Sequence, residues 1–122
     1  MIPRPITEAQ FQQQVIDLAH LNSWRVAHFR PARTDKGWRT PVAADGAGFP
    51  DLVLARDGVV IFAELKTERG VLRPEQNVWG HHLGALWRVW RPHQLHDIAR
   101  ELAHTTTHGR PSGRSSSFQE TE

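Results

Sequence analysis

The chain contains no cysteine. Disulfides and thiolate-held metals are therefore excluded, and a reducing cytoplasm is the expected compartment. No apolar run approaches the ~20 residues that cross a bilayer. No basic segment followed by an apolar stretch opens the chain, so no secretory signal is expected. A Gly-rich phosphate loop is missing, which argues against nucleoside triphosphate hydrolysis and a nucleotide cofactor. Most serines lie near the C-terminus, which makes a Ser–His–Asp triad improbable, and no internal repeat is visible. Charge of either sign is scarce in excess: 15 Lys and Arg against 13 Asp and Glu leave a net +2, although the sequence pI is 9.9. The basic side is carried mainly by arginine, which suits bidentate phosphate contact, but this balance alone is weak support for a nucleic-acid partner. At 122 residues the chain is long enough for one domain with a modest core.

What the chain does have is a hairpin. Leu52-Val53-Leu54-Ala55-Arg56 and Val59-Val60-Ile61-Phe62-Ala63 are apolar, β-branched runs separated by Asp57-Gly58. That pair favours a type I′ turn, which needs positive φ at both central residues. A two-residue turn pairs Arg56 with Val59 and, counting outward, Asp51 with Glu64. Lys66 then shares a face with Glu64, because side chains alternate along a strand. Directly opposed like charges destabilise a hairpin by up to about 1 kcal/mol. A divalent cation between the carboxylates would remove that repulsion. Mg²⁺ or Mn²⁺ suits a site with few carboxylates, since these ions keep waters and take phosphate oxygens as ligands. The competing reading is a surface hairpin with scattered charges.

Pro50-Asp51 followed after twelve residues by Glu64-Leu65-Lys66 resembles the PD-(D/E)xK nuclease superfamily. The fuller string, Gly48-Phe49-Pro50-Asp51-Leu52, Phe62-Ala63-Glu64-Leu65-Lys66, then Gln76 and Trp79, resembles its VRR-NUC branch over roughly residues 7 to 103. The resemblance implies a restriction-endonuclease-like core and metal-dependent hydrolysis of DNA phosphodiesters. Asp51, Glu64, Lys66 and Gln76 would be the catalytic set. Glu8, Asp51, Glu64 and the Leu65 carbonyl would hold Mg²⁺ or Mn²⁺. A stand-alone domain of this size suggests a phage-type enzyme in the host cytoplasm, acting as a homodimer on branched or junction DNA. Two other readings stay open: a non-catalytic DNA-binding module with a nuclease fold, and a subunit that cuts only with a partner.

The flanking elements fit an α/β domain in the order α-β-β-β-α-β-α, a mixed sheet flanked by helices. Thr7 to Gln10 reads as a capping box that opens a helix over Glu8 to Leu21. Phe11, Val15, Leu18 and Ala19 form its apolar face, and Glu8 falls on the same stripe. Glu8 either approaches the carboxylates or answers the helix dipole. Trp24 to Phe29 alternates as a strand. Residues 30–47 are basic and long for a connection, with Arg30, Arg33, Lys36, Trp38 and Arg39 as candidate DNA contacts. This segment is either a binding loop or disordered, and Trp38 could equally fold onto the domain.

Arg73-Pro74-Glu75-Gln76 opens a second helix with proline at its first position. Gln76, Trp79, Leu83 and Leu86 are expected on one face. The inward Gln76 needs a partner, either the carboxylate, the lysine, a water or a backbone group. Gly84 and Ala85 end the helix, Leu86 to Trp90 is a strand, and a last helix carries Leu95, Ile98, Ala99 and Leu102. The domain is expected over 1–103, and 104–122 reads as a disordered tail. His93-x-x-His96 and His104-x-x-x-His108 have zinc-like spacing but lack a third ligand.

Overall fold

The computed structural model describes residues 4–29, 32–34, 37–39 and 43–109, with the side chains of 32–34, 37–39 and 105–109 left aside. In chain order the elements are α1 (Glu8–Leu21), β1 (Arg25–His28), β2 (Ala32–Thr34), β3 (Gly37–Arg39), β4 (Leu52–Arg56), β5 (Val59–Leu65), α2 (Pro74–Leu83), β6 (Trp87–Trp90) and α3 (Leu95–Gly109). Four strands form a mixed sheet in the order β1-β4-β5-β6. β1, β4 and β5 are antiparallel neighbours, and β6 runs parallel to β5 across the α2 connection. The domain is α/β.

The β4–β5 turn follows from its two residues. Asp57 has φ 51° and Gly58 φ 84°, the positive pair that a type I′ turn requires. The register is Arg56↔Val59, Ala55↔Val60, Leu54↔Ile61, Val53↔Phe62 and Leu52↔Ala63. Alternation puts Leu52, Leu54, Ile61, Ala63 and Leu65 on one face. They are fully buried there with Phe11, Val15 and Ala19 of α1 and Ile98 and Leu102 of α3. The opposite face carries Val53, Phe62 and Glu64, and α2 packs over it. A Cβ on Gly80 would stand 2.3 Å from the Trp87 ring, so α2 approaches β6 at glycine distance.

α1 opens as a capping box: Thr7 Oγ1 accepts from the Gln10 N–H at 3.1 Å, and Gln10 Oε1 accepts from the Thr7 N–H at 2.9 Å. Its far end is fixed to α3 by Trp24, whose indole N–H donates to the Leu102 carbonyl at 3.0 Å. Arg56 lies over the Trp24 ring and donates to Asn22 and Leu102 carbonyls.

Three expectations change. Part of the 30–47 segment is a two-stranded hairpin, β2 with β3, pairing Ala32 with Arg39 and Arg33 with Trp38. The last helix does not stop at 103 but continues to Gly109. Once a helix is nucleated on a packed face, each added residue gains a hydrogen bond, so the polar end propagates. Residues 110–122 lie outside the described residues. Leu86 does not join the inner face of α2. Gly84, at φ 58°, ends the helix and leaves Leu86 in a tight turn, 46% exposed. Among the described residues, no helix is long and apolar enough to cross a membrane.

Candidate metal and catalytic site

The site stands where β4 begins and β5 ends. The ladder ends at Leu52↔Ala63, and Asp51 and Glu64 are the next residues beyond it on either strand. The Phe29 N–H binds the Asp51 carbonyl at 3.2 Å, so the Asp51 backbone is held just beyond the β1–β4 ladder. Its side chain turns toward β5, where Oδ2 accepts the Leu65 N–H at 2.9 Å. Asp51 and Glu64 are within hydrogen-bond reach of each other.

Glu64 is 3% exposed. Its Oε2 accepts from Gln76 Nε2 at 2.9 Å and lies 3.6 Å from Lys66 Nζ. Its Oε1 is buried without a hydrogen-bond partner. Gln76, itself buried, is held at its other end, because its Oε1 accepts the Arg73 N–H at 2.8 Å. The helix cap thus fixes the amide orientation, and the NH₂ can only point at the carboxylate. The partner that Gln76 needed is Glu64.

Electrostatics follow from this crowding. Burial pushes the Glu64 carboxyl up to about 8, the charge of Asp51 adds to the rise, and Lys66 opposes it. Burial also raises Asp51, against the Leu65 N–H, Lys66, Glu64 and His28. Both shifts run upward, so the pair as a unit favours holding a proton. With Asp51 half-buried beside it, the buried Glu64 ionises only at added cost, which Lys66 offsets in part.

The residues present fit a hard divalent cation. Two convergent carboxylates, one with a buried oxygen lacking any donor, are the donor set that Mg²⁺ takes when water and phosphate supply its other ligands. Glu8 is exposed in the first turn of α1, which corrects its placement on the inward stripe with Phe11 and Val15. At a helix N-terminus an exposed acid faces the positive end of the dipole. Among the described residues, no three His, Cys, Asp or Glu side chains gather as a metal-holding group. Glu8 therefore does not complete one with Asp51 and Glu64.

The motif residues before Asp51 are held by α2. Phe49 sets its ring edge-to-face against Phe29, Phe62 and Trp79 at 5.2, 6.0 and 4.9 Å. Trp79 Nε1 donates to the Asp45 carbonyl at 3.0 Å. Gly48, at φ +81°, lies where a Cβ would meet the Glu75 backbone at 2.5 Å. Both its conformation and its space exclude a side chain. Pro50 is fully buried. Gly48-Phe49-Pro50 is thus the packing that delivers Asp51 to the end of β5.

Of the candidate DNA contacts, Arg30 and Lys36 lie outside the described residues, while Arg33, Trp38 and Arg39 stand on the β2–β3 hairpin. Two residues near the site had not been singled out. His28 is close enough to lower Asp51; its register partner Leu52 adjoins Asp51 and was the available signal. Arg91 binds the loop after Lys66, with no sequence signal beyond an arginine at a strand end. No family of known proteins, no curated protein and no solved structure matches this chain.

Proposed function

We propose that the protein is a metal-dependent DNA endonuclease with a restriction-endonuclease-like core of VRR-NUC type, selective for branched or junction DNA. The single observation that carries this reading is the Asp51–Glu64 pair, brought together at the end of a hairpin with a buried Glu64 oxygen that has no donor. An acid buried against a second, half-buried acid costs stability, and a bound cation would offset that cost.

Asp51 and Glu64, with the Leu65 carbonyl, would hold Mg²⁺ or Mn²⁺, which in such a site neutralises phosphate charge and makes a bound water acidic enough to attack. Leu65 N–H fixes the Asp51 carboxylate, and Gln76 fixes that of Glu64. Lys66 places a positive charge beside Glu64, where it orients the attacking water or steadies negative charge building on the phosphate. The β2–β3 hairpin carries Arg33, Trp38 and Arg39 for the DNA backbone and bases. A homodimer would present two such sites to a junction.

A cleavage panel tests the reading. Four-way junction, flap and plain duplex are incubated with Mg²⁺ or Mn²⁺. Cutting that EDTA abolishes is expected, fastest on a branched substrate. Binding that ignores EDTA, with no cutting of any substrate, would instead support a non-catalytic module.

A further inference from the structure

The fold does not account for the segment between β5 and α2. Residues 67–73 run from Lys66 to Pro74 without regular structure. Val71 within it is 80% exposed. Two residues before it stands the exposed Arg69, and two after it Arg73, whose side chain is 63% exposed and makes a long 3.5 Å pair with Glu75.

The same segment is tied down from behind. Arg91, just past β6, reaches under it. Its Nη1 donates to the carbonyls of Thr67 at 2.7 Å and Gly70 at 2.8 Å, and to that of Glu68 at 3.4 Å. The Gly70 N–H returns to the Thr67 carbonyl at 3.2 Å and closes a turn. A Cβ on Gly70 would stand 3.4 Å from Lys66 Cδ, so the turn lies against the lysine stem. Glu68 Oε1 is 2.6 Å from His93 Nδ1, which turns that acid toward the short turn Pro92–Gln94 before α3. Three backbone carbonyls on one guanidinium make a rigid base. Arg69 lies within this held turn, and the exposed Val71 and Arg73 follow it in the chain.

We propose that residues 69–73 are a DNA-contacting arm. Arg69 and Arg73 take backbone phosphates next to the cleaved bond, with Arg73 exchanging Glu75 for a phosphate, and Val71 packs against the unstacked base step at a branch point. Cations on phosphates and an apolar side chain at an opened step are the combination by which proteins hold distorted DNA. The inference rests on the nuclease reading of Asp51, Glu64 and Lys66, and it assigns the choice of branched substrate to Val71.

Binding is measured by fluorescence anisotropy on a labelled four-way junction and a linear duplex, with Ca²⁺ replacing Mg²⁺. Thermal melts check that each variant is folded. On linear duplex, the Arg69→Ala/Arg73→Ala double variant should flatten the plot of log K against log salt by about 1.8, two phosphate contacts at about 0.9 each. Val71→Ser should weaken junction binding several-fold and leave linear duplex binding unchanged. An unchanged salt slope, or a Val71→Ser loss equal on both probes, overturns the arm. If wild-type protein cuts DNA but the variants bind as it does, the arm alone fails. If wild-type protein neither cuts nor binds either probe, the nuclease reading fails with it.

Discussion

Gln76 bridges the α2 cap and Glu64: its carbonyl accepts the Arg73 N–H at 2.8 Å, and its amide donates to Glu64 Oε2 at 2.9 Å. One side chain therefore starts a helix and orients a buried acid. Gln76→Ala removes both bonds and leaves Glu64 with one donor fewer. The expected loss is about 1–3 kcal/mol of stability, the usual penalty for stranding a buried polar group. Denaturant unfolding checks it. Gln76→Glu should be worse than alanine above neutral pH, because it adds a third acid.

Glu64 makes folding depend on pH. Its carboxyl ionises near 4.5 in the unfolded chain and near 8 in the fold. The folded state therefore keeps a proton that the unfolded state loses between these values. This group's contribution is fully present below about 4.5 and is lost as pH rises through about 8. In the absence of divalent ions, stability should fall by on the order of a few kcal/mol as pH is raised from 5 to 8.5, and Tm should fall with it. Glu64→Gln should flatten that dependence and be more stable than the wild type at pH 8.5. A pH dependence identical in both proteins would contradict the burial argument.

A divalent cation should reverse the same loss. It takes the place of the shared proton, so Mg²⁺ or Mn²⁺ at pH 8 should raise Tm in the wild type. At a hundredfold excess over its dissociation constant a ligand adds about 2.7 kcal/mol. Asp51→Asn and Glu64→Gln should each abolish the shift. Glu8→Gln should leave it intact, because Glu8 is exposed and makes no metal-holding group with the two acids.

Two glycines should not tolerate alanine. At Gly48 a methyl would meet the Glu75 backbone at 2.5 Å, from a φ of +81°. At Gly80 it would meet the Trp87 ring at 2.3 Å. Overpacking of this kind costs roughly 1–3 kcal/mol, with the positive φ adding to the loss at Gly48. Gly58→Ala has open space but φ +84°, so it should lose only the turn strain. Thermal melts of the three variants should rank Gly58→Ala as the mildest.

Much of this architecture is legible in the sequence because the signals are local. Asp57-Gly58 sets the turn, the turn sets the register out to Leu52↔Ala63, and Asp51 and Glu64 come next beyond it. The Thr7–Gln10 box sets the start of α1. What the sequence hides depends on distant chain. That Gln76 chooses Glu64 over Lys66 is decided by the α2 cap, which fixes the amide. That Glu8 stays exposed in the first turn of α1 is likewise not encoded in helical periodicity. Arg91 gathers carbonyls more than twenty residues away, and no spacing rule anticipates that. The run past His104 looked too polar to order, yet a helix already packed through Leu102 carries it to Gly109.

The central claim is that Asp51, Glu64 and Lys66 form one metal-dependent phosphodiesterase site. Its most direct test compares wild type, Glu64→Gln and Lys66→Ala on a four-way junction with Mn²⁺, with folding verified by thermal melts. The account predicts cutting by the wild type, abolished by EDTA. It also predicts at least a hundredfold loss in both variants, with the Mn²⁺-induced Tm shift kept in Lys66→Ala and lost in Glu64→Gln. Cutting by Lys66→Ala at the wild-type rate would contradict it.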